Sequence, residues 1–236
     1  MKNLQDIIQE KLQIGSKTKV SKYKYHPKNR DELVELLKKL IIERGKDADL
    51  NDIDTSEITN MSYLFYGFEN ELEPHNIDIS QWNVSKVETM DFIFMYRENF
   101  NSDLSKWDVS NVTNMKSAFE GCYKFNSDLS NWDVSKVTNM RFMFDECNIF
   151  NSDLSNWDVS NVTNTGSMFN ECKKFNSDLS KWDVSKVTYM YGMFYGCENF
   201  KSDLSKWNVS KNVNMKKMFV RSGIEKNPPK WYINEE

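Results

Sequence analysis

Four cysteines stand 25 residues apart, at Cys122, Cys147, Cys172 and Cys197. Four thiols invite a metal, but one cysteine per repeat makes a row of about 5 Å per layer, and a row cannot close a zinc tetrahedron. Parallel Cβ vectors suit disulfides poorly. Buried free thiols acting as small apolar residues are expected instead, which fits a reducing compartment. The aspartates form two further columns: Asp103, Asp128, Asp153, Asp178 and Asp203, and Asp108, Asp133, Asp158 and Asp183. Like charges about 5 Å apart repel by about 1 kcal/mol per pair even in water, so something must offset them. Two readings stand. Each carboxylate accepts backbone N–H groups in a tight turn, or calcium sits between carboxylates of the first column. Asn101, Asn126, Asn151 and Asn176 are read as a similar ladder.

Six tryptophans keep the same interval, at Trp82, Trp107, Trp132, Trp157, Trp182 and Trp207. They can be a stacking platform for sugars or bases. Recurrence in every repeat, in step with Leu and Phe, predicts core. The two histidines, His26 and His75, lie beside Pro27 and Pro74. No nucleophile–base pair or phosphate-binding glycine loop is present, and the chain has only 8 Gly. A non-enzymatic protein without a cofactor is expected.

All these columns belong to one 25-residue repeat. Phe100 to Phe200 and Phe94 to Phe219 form two more columns, and Leu104 to Leu204 another, with Ile79 before it. An earlier degenerate unit (Leu50, Ile53, Ile58, Met61, Phe65) matches with a shift of 29, placing four extra residues around Glu71–Asn76. A loop insertion there is cheap. This makes about seven coils. Within a coil, Met115, Ala118, Phe119 and Cys122 fall at i, i+3, i+4 and i+7, one face of a short helix that Thr113 or Asn114 can cap. Asp128–Val134 reads as extended chain with one short strand. The pattern predicts an α/β repeat: a solenoid with one short strand and one short helix or 3-10 turn per coil. No coil buries its apolar face alone. The expected organisation is an N-terminal helical cap over residues 1–47, the repeats over 48–219, and a C-terminal cap over 220–236. The cap helix spans 31–44, with Asn29 or Asp31 at its start and Gly45 as its stop. Residues 3–14 are read as a second helix. Asn212 takes a column held elsewhere by Val187 and Val162.

The motif D-L-S-x-W-D-V-S-x-V-T-x-M-x-x-M-F, with the A-F-x-G-C segment Ala118–Cys122 and the entry coil Ala48–Ser56, resembles the BspA-like leucine-rich-repeat family, which includes a domain of unknown function in mycoplasma-type surface proteins. The resemblance covers about residues 20–220. It implies a leucine-rich-repeat-like, right-handed solenoid in a bacterial protein, and a role at the cell surface binding host or partner proteins. It carries no catalytic residue.

The totals exclude some classes. A net charge of −4 argues against a nucleic-acid binder. No apolar run reaches the roughly 18–20 residues that span a bilayer. The N-terminal run lacks the apolar core of roughly 7–15 residues that a secretory leader carries, pointing to the cytosol where the resemblance implies the surface. With capped ends, a monomer is expected. Specificity must then sit where the repeat varies. Candidate binding rows are Lys106, Asn131, Asn156, Lys181 and Lys206; Asn111, Lys136, Asn161, Lys186 and Lys211; Lys116, Arg141, Gly166, Tyr191 and Lys216; and Tyr123, Asn148, Lys173 and Glu198. Their Lys, Asn and Tyr suit polar contacts with a protein partner, or form an ordinary solvated face. The partner readings are an adhesin-like surface protein, a cytosolic scaffold or regulator, and a glycan binder using aromatic rows.

Overall fold

Three short polar side chains per repeat decide the backbone. Asp128 Oδ1 accepts the Ser130 N–H at 2.9 Å, Asp133 Oδ1 accepts Ser135 N–H at 3.0 Å, and Asn139 Oδ1 accepts Arg141 N–H at 3.1 Å. Each is a side-chain turn that competes with strand and helix ladders. β-Turns follow them: Trp132 N–H reaches Leu129 O at 3.1 Å and Val137 N–H reaches Val134 O at 2.9 Å. The computed structural model describes residues 22–68 and 74–233. Among them the chain forms one helix, α1 (Arg30–Arg44), and then stacked 25-residue coils made of turns. Adjacent coils meet at single-residue parallel bridges, Asn114 to Asn139 to Asn164 to Tyr189 to Asn214.

This overturns the expected α/β solenoid, leucine-rich-repeat-like and right-handed, with a strand and a helix in each unit. The described coils contain neither. Asp128–Val134 is turns, not strand. The run 115–122 is not helical because Ser117 and Gly121 have φ of +53° and +71°, left-handed values that break a right-handed helix every fourth residue. Its N–H groups alternate. Ala118 and Cys122 bond back to Met115 and Phe119 in β-turns, while Met115, Ser117, Phe119 and Gly121 donate to Asn139, Arg141, Met143 and Asp145 of the next coil, at 2.8–3.0 Å. Turns of this kind put residues 115, 118, 119 and 122 inward, as a helix face does.

The core is columnar. Phe119, Phe144, Phe169 and Phe194 stack at 5.6–5.8 Å between ring centroids, and each meets the second Phe column at 4.0–4.2 Å. The six tryptophans are 3–4 % exposed. Their indole N–H groups reach backward to the carbonyls of Leu50, Ile79, Leu104, Leu129, Leu154 and Leu179, at 2.9–3.1 Å. Both ends close this core. At α1, Asn29 Oδ1 caps Glu32 N–H at 3.0 Å and Gly45 N–H closes on Ile41 O at 2.9 Å, with Leu33, Leu37, Leu40 and Ile41 buried. At the other end Trp231 stacks on Trp207 at 6.0 Å and donates to Leu204 O at 2.7 Å. It is a seventh member of the column, which the sequence reading did not assign. The Val column ends on Val213, whose N–H turns back to Ser210 O, one residue later than the Asn212 position suggests. The expected helix over 3–14 lies outside the described residues, as does part of the insertion around Glu71–Asn76.

Candidate functional site: the variable face

The turn run at 115–122 leaves the pairs 116–117 and 120–121 off the core columns, and those rows change from coil to coil. Lys116, Arg141, Gly166, Tyr191 and Lys216 form one. Phe92, Ser117, Phe142, Ser167, Gly192 and Lys217 form the next. The Lys116 ammonium lies 4.9 Å from the Phe92 ring centre, and the Arg141 guanidinium 4.5 Å from Phe142 and 5.4 Å from Tyr189, distances at which cation–π attraction acts. Tyr63 stacks on Phe92 at 4.4 Å, and Tyr189 packs against Tyr191 at 6.4 Å. Arg141 Nε and Ser117 Oγ are buried without a hydrogen-bond partner among the described residues.

Further along the same run the rows are acidic and aromatic. Tyr96 donates its hydroxyl to Glu120 at 2.9 Å, Tyr123 to Glu146 at 3.3 Å, and Asn170 Nδ2 donates to Asp145 at 2.6 Å. The Glu120 carboxylate pushes the Tyr96 phenol up to about 12. Burial pushes Asp145 up to about 7, helped by Glu120 and Glu146 and opposed by the Asn170 hydrogen bond. Arg221 pairs with Glu171 at 2.8 Å and lies 5.6 Å from the Tyr195 ring. Where Ser167 and Gly192 replace the phenylalanines of their row, a notch of about 250 Å³ opens between Tyr191, Tyr195, Asn170 and Lys217.

Asp145 predicts a pH dependence. Its folded-state pKa lies above the 3.8 of a free aspartate, so between about pH 4 and 7 the folded chain holds a proton that the unfolded chain has lost. Stability therefore falls as pH rises through that window. Urea melts between pH 5 and 8 should show the slope in the natural chain, and Asp145→Asn should flatten it.

The candidate rows do not converge on one site. Lys106, Asn131, Asn156, Lys181 and Lys206 are exposed on another side of the coil; a shallow groove there joins Lys206 to Asn176, Asp178 and Asp203. The row through Asn111 and Lys136 serves the fold. Lys136 Nζ donates to Asn111 Oδ1 at 2.6 Å, and Asn161 Nδ2 to Ser135 O at 2.8 Å.

The first Asp column is spent on its turns. Asp103, Asp128, Asp153, Asp178 and Asp203 each accept a Ser N–H two residues on, at 2.9–3.0 Å, and these bonds hold their carboxyls below the usual range. Among the described residues no three His, Cys, Asp or Glu side chains gather as metal ligands. A thermal melt repeated with EDTA should keep its midpoint; a fall would restore the calcium reading. The Asn ladder forms, Asn126, Asn151, Asn176 and Lys201 N–H each donating to the Asn one coil back at 2.7–2.8 Å. The cysteines are free and buried, each thiol donating to a Phe carbonyl of the preceding coil at 2.8–3.1 Å. Burial raises all four thiols, so they are poor nucleophiles. A serine row escaped the sequence reading. Ser127, Ser152, Ser177 and Ser202 accept the Leu N–H groups of the coil before, at 2.8–2.9 Å. Their strict 25-residue recurrence was the available signal.

Repeating layers with a nearly constant interior and changing outer rows define a repeat protein. The family described as Mycoplasma protein of unknown function, DUF285, matches residues 36–144 and 115–231, and the chain belongs to this family of bacterial repeat proteins. The two matches overlap, as a repeat allows. No curated protein and no solved structure matches the chain.

Proposed function

We propose that this chain is a non-enzymatic, monomeric scaffold that binds another protein through the face built by the 115–122 runs. One observation carries the reading. The core columns and turn-forming Asp, Asn and Ser scarcely change between coils, whereas this face alternates Lys116, Arg141, Gly166 and Tyr191 over Phe92, Ser117, Phe142 and Ser167. Half-buried aromatic and Arg groups at a few points, with small residues between them, are what a protein partner uses as anchors. The buried tryptophans take away the aromatic row on which a glycan reading stood. A photoreactive phenylalanine derivative at Tyr191 should yield a discrete crosslinked protein in the source cells, and the same group at Asn131 should not. Equal yields at both positions would remove the face from consideration. The resemblance of D-L-S-x-W-D-V-S to BspA-like repeats favours an adhesin-like protein of the cell surface; no helix among the described residues is long and apolar enough to cross a membrane. Protease added to intact cells should degrade a surface protein, and full protection would move the scaffold inside the cell.

A further inference from the structure

The two ends of the stack are finished differently. In each interior coil four alternate N–H groups donate to carbonyls of the following coil: Met190, Gly192, Phe194 and Gly196 reach Asn214, Lys216, Met218 and Val220 at 2.7–3.0 Å. The corresponding groups of the last coil, on Met215, Lys217, Phe219 and Arg221, have no acceptor among the described residues. Phe219 lies under Tyr232, with ring centres 4.9 Å apart. Met215, Lys217 and Arg221 are partly or fully exposed. At the opposite end Arg30, the first residue of α1, donates to the carbonyls of Ser62 and Tyr63.

Charge separates the ends too. Residues 208–236 carry Lys211, Lys216, Lys217, Arg221, Lys226 and Lys230 against Glu225, Glu235 and Glu236, a net +3 in a chain of net −4. All six are exposed, and Arg221 is the one with an ion pair among the described residues.

We infer that the C-terminal edge of the last coil is a second docking site, adjoining the variable face at Lys216 and Lys217 but built on backbone donors that the face does not use, and that its occupant is an extended acidic segment of another protein. The interior coils supply the template: the same four donors are filled there by alternate carbonyls of a neighbouring run. An extended segment added at an open backbone edge repeats that pairing. Lys216 and Lys217 attract carboxylates on its side chains. A second copy of this chain fits less well, because the carbonyls it would offer are those of its first coil, where Arg30 already sits.

The probe is a short, labelled, alternating Glu-Thr peptide added to the full chain, with a Lys-Thr peptide as control. Binding of the Glu-Thr peptide should weaken as salt rises and fall about tenfold or more when Lys216→Glu and Lys217→Glu are combined. Hydrogen exchange should slow at the Met215, Lys217 and Arg221 amides. It should not change at Lys216, whose N–H is already held by Asn214 Oδ1 at 3.2 Å. Peptide binding that leaves the three amides unprotected would overturn the inference. So would anionic phosphatidylglycerol vesicles binding where the peptide does not, or self-association that protects the same amides. A crosslink from Tyr191 reports on the variable face, whereas protection of the Met215, Lys217 and Arg221 amides reports on the open edge, so the two readings fail separately.

Discussion

Trp132→Ala should lower the folding free energy by about 3–5 kcal/mol, measured by urea unfolding. Trp132 sits in a middle coil, 4 % exposed, packed 6.2 Å from the Phe119 ring, with its indole N–H on Leu104 O at 3.0 Å. Truncation leaves a cavity between coils and removes one of the two hydrogen bonds to that carbonyl, which keeps the Trp107 N–H at 3.1 Å, so the cavity carries most of the cost. Trp132→Phe separates the two effects, keeping most of the apolar volume and losing one hydrogen bond, so its cost should fall well below that of the alanine variant. A loss below about 1 kcal/mol for the alanine variant would mean the column is not core. Because stability in a repeat is passed between nearest neighbours, the same change at Trp207, near the end, should leave the earlier coils intact.

A second large effect is expected at Ser117, where the sign of the change distinguishes turns from helix. Ser117→Pro should cost more than about 3 kcal/mol. Proline fixes φ near −65°, whereas Ser117 stands at +53°, and it removes the N–H that reaches Arg141 O at 2.8 Å. Ser117→Gly should be neutral or stabilise by up to about 1 kcal/mol. Relief of the left-handed strain is worth about 1–2 kcal/mol and outweighs the added freedom of the unfolded chain. A buried hydroxyl without a partner also disappears. In a helix the same glycine would cost about 0.5–1 kcal/mol, so a clear loss in the glycine variant would contradict the turn geometry.

What the sequence made legible was whatever the repeat stamps on side chains. The Phe, Trp, Leu and Cys columns were read as interior and lie there, because a row present in every coil must face its own copies. Helix α1 was legible from Asn29, Gly45 and the apolar stripe between them. The backbone of the coils was not. Residues 115, 118, 119 and 122 satisfy the helical spacing, yet consecutive β-turns with left-handed residues at 117 and 121 produce the same inward set. The signal lay in glycines recurring in those two columns, Gly192 in one and Gly67, Gly121 and Gly196 in the other. Gly121 alone resembles a helix stop. Asp128 and Asp133 were read as turn formers, but their consequence, that no strand can run through two such turns, was not drawn. Four variable rows were read from the sequence, but the row through Phe92, Ser117, Phe142 and Ser167 was missed, and sorting the rows needed the chain path. That path separates Lys106 and its row from Arg141 and Tyr191, and ties Asn111 and Lys136 into the scaffold.

The Asn ladder carries one more consequence. Asn126 N–H on Asn101 Oδ1, Asn151 on Asn126 and Asn176 on Asn151 are the same bond three times over, at 2.7–2.8 Å. During folding, a coil that pairs with its second neighbour instead of its first would find nearly every partner it needs, so the interior has translational degeneracy. Only features that occur once can lift it: α1 with Arg30 at one end, and Trp231 closing on Leu204 O at the other. The terminal segments therefore act as a ruler that counts the layers. Chains with one whole interior repeat duplicated or deleted should still fold, with the two ends setting the new length.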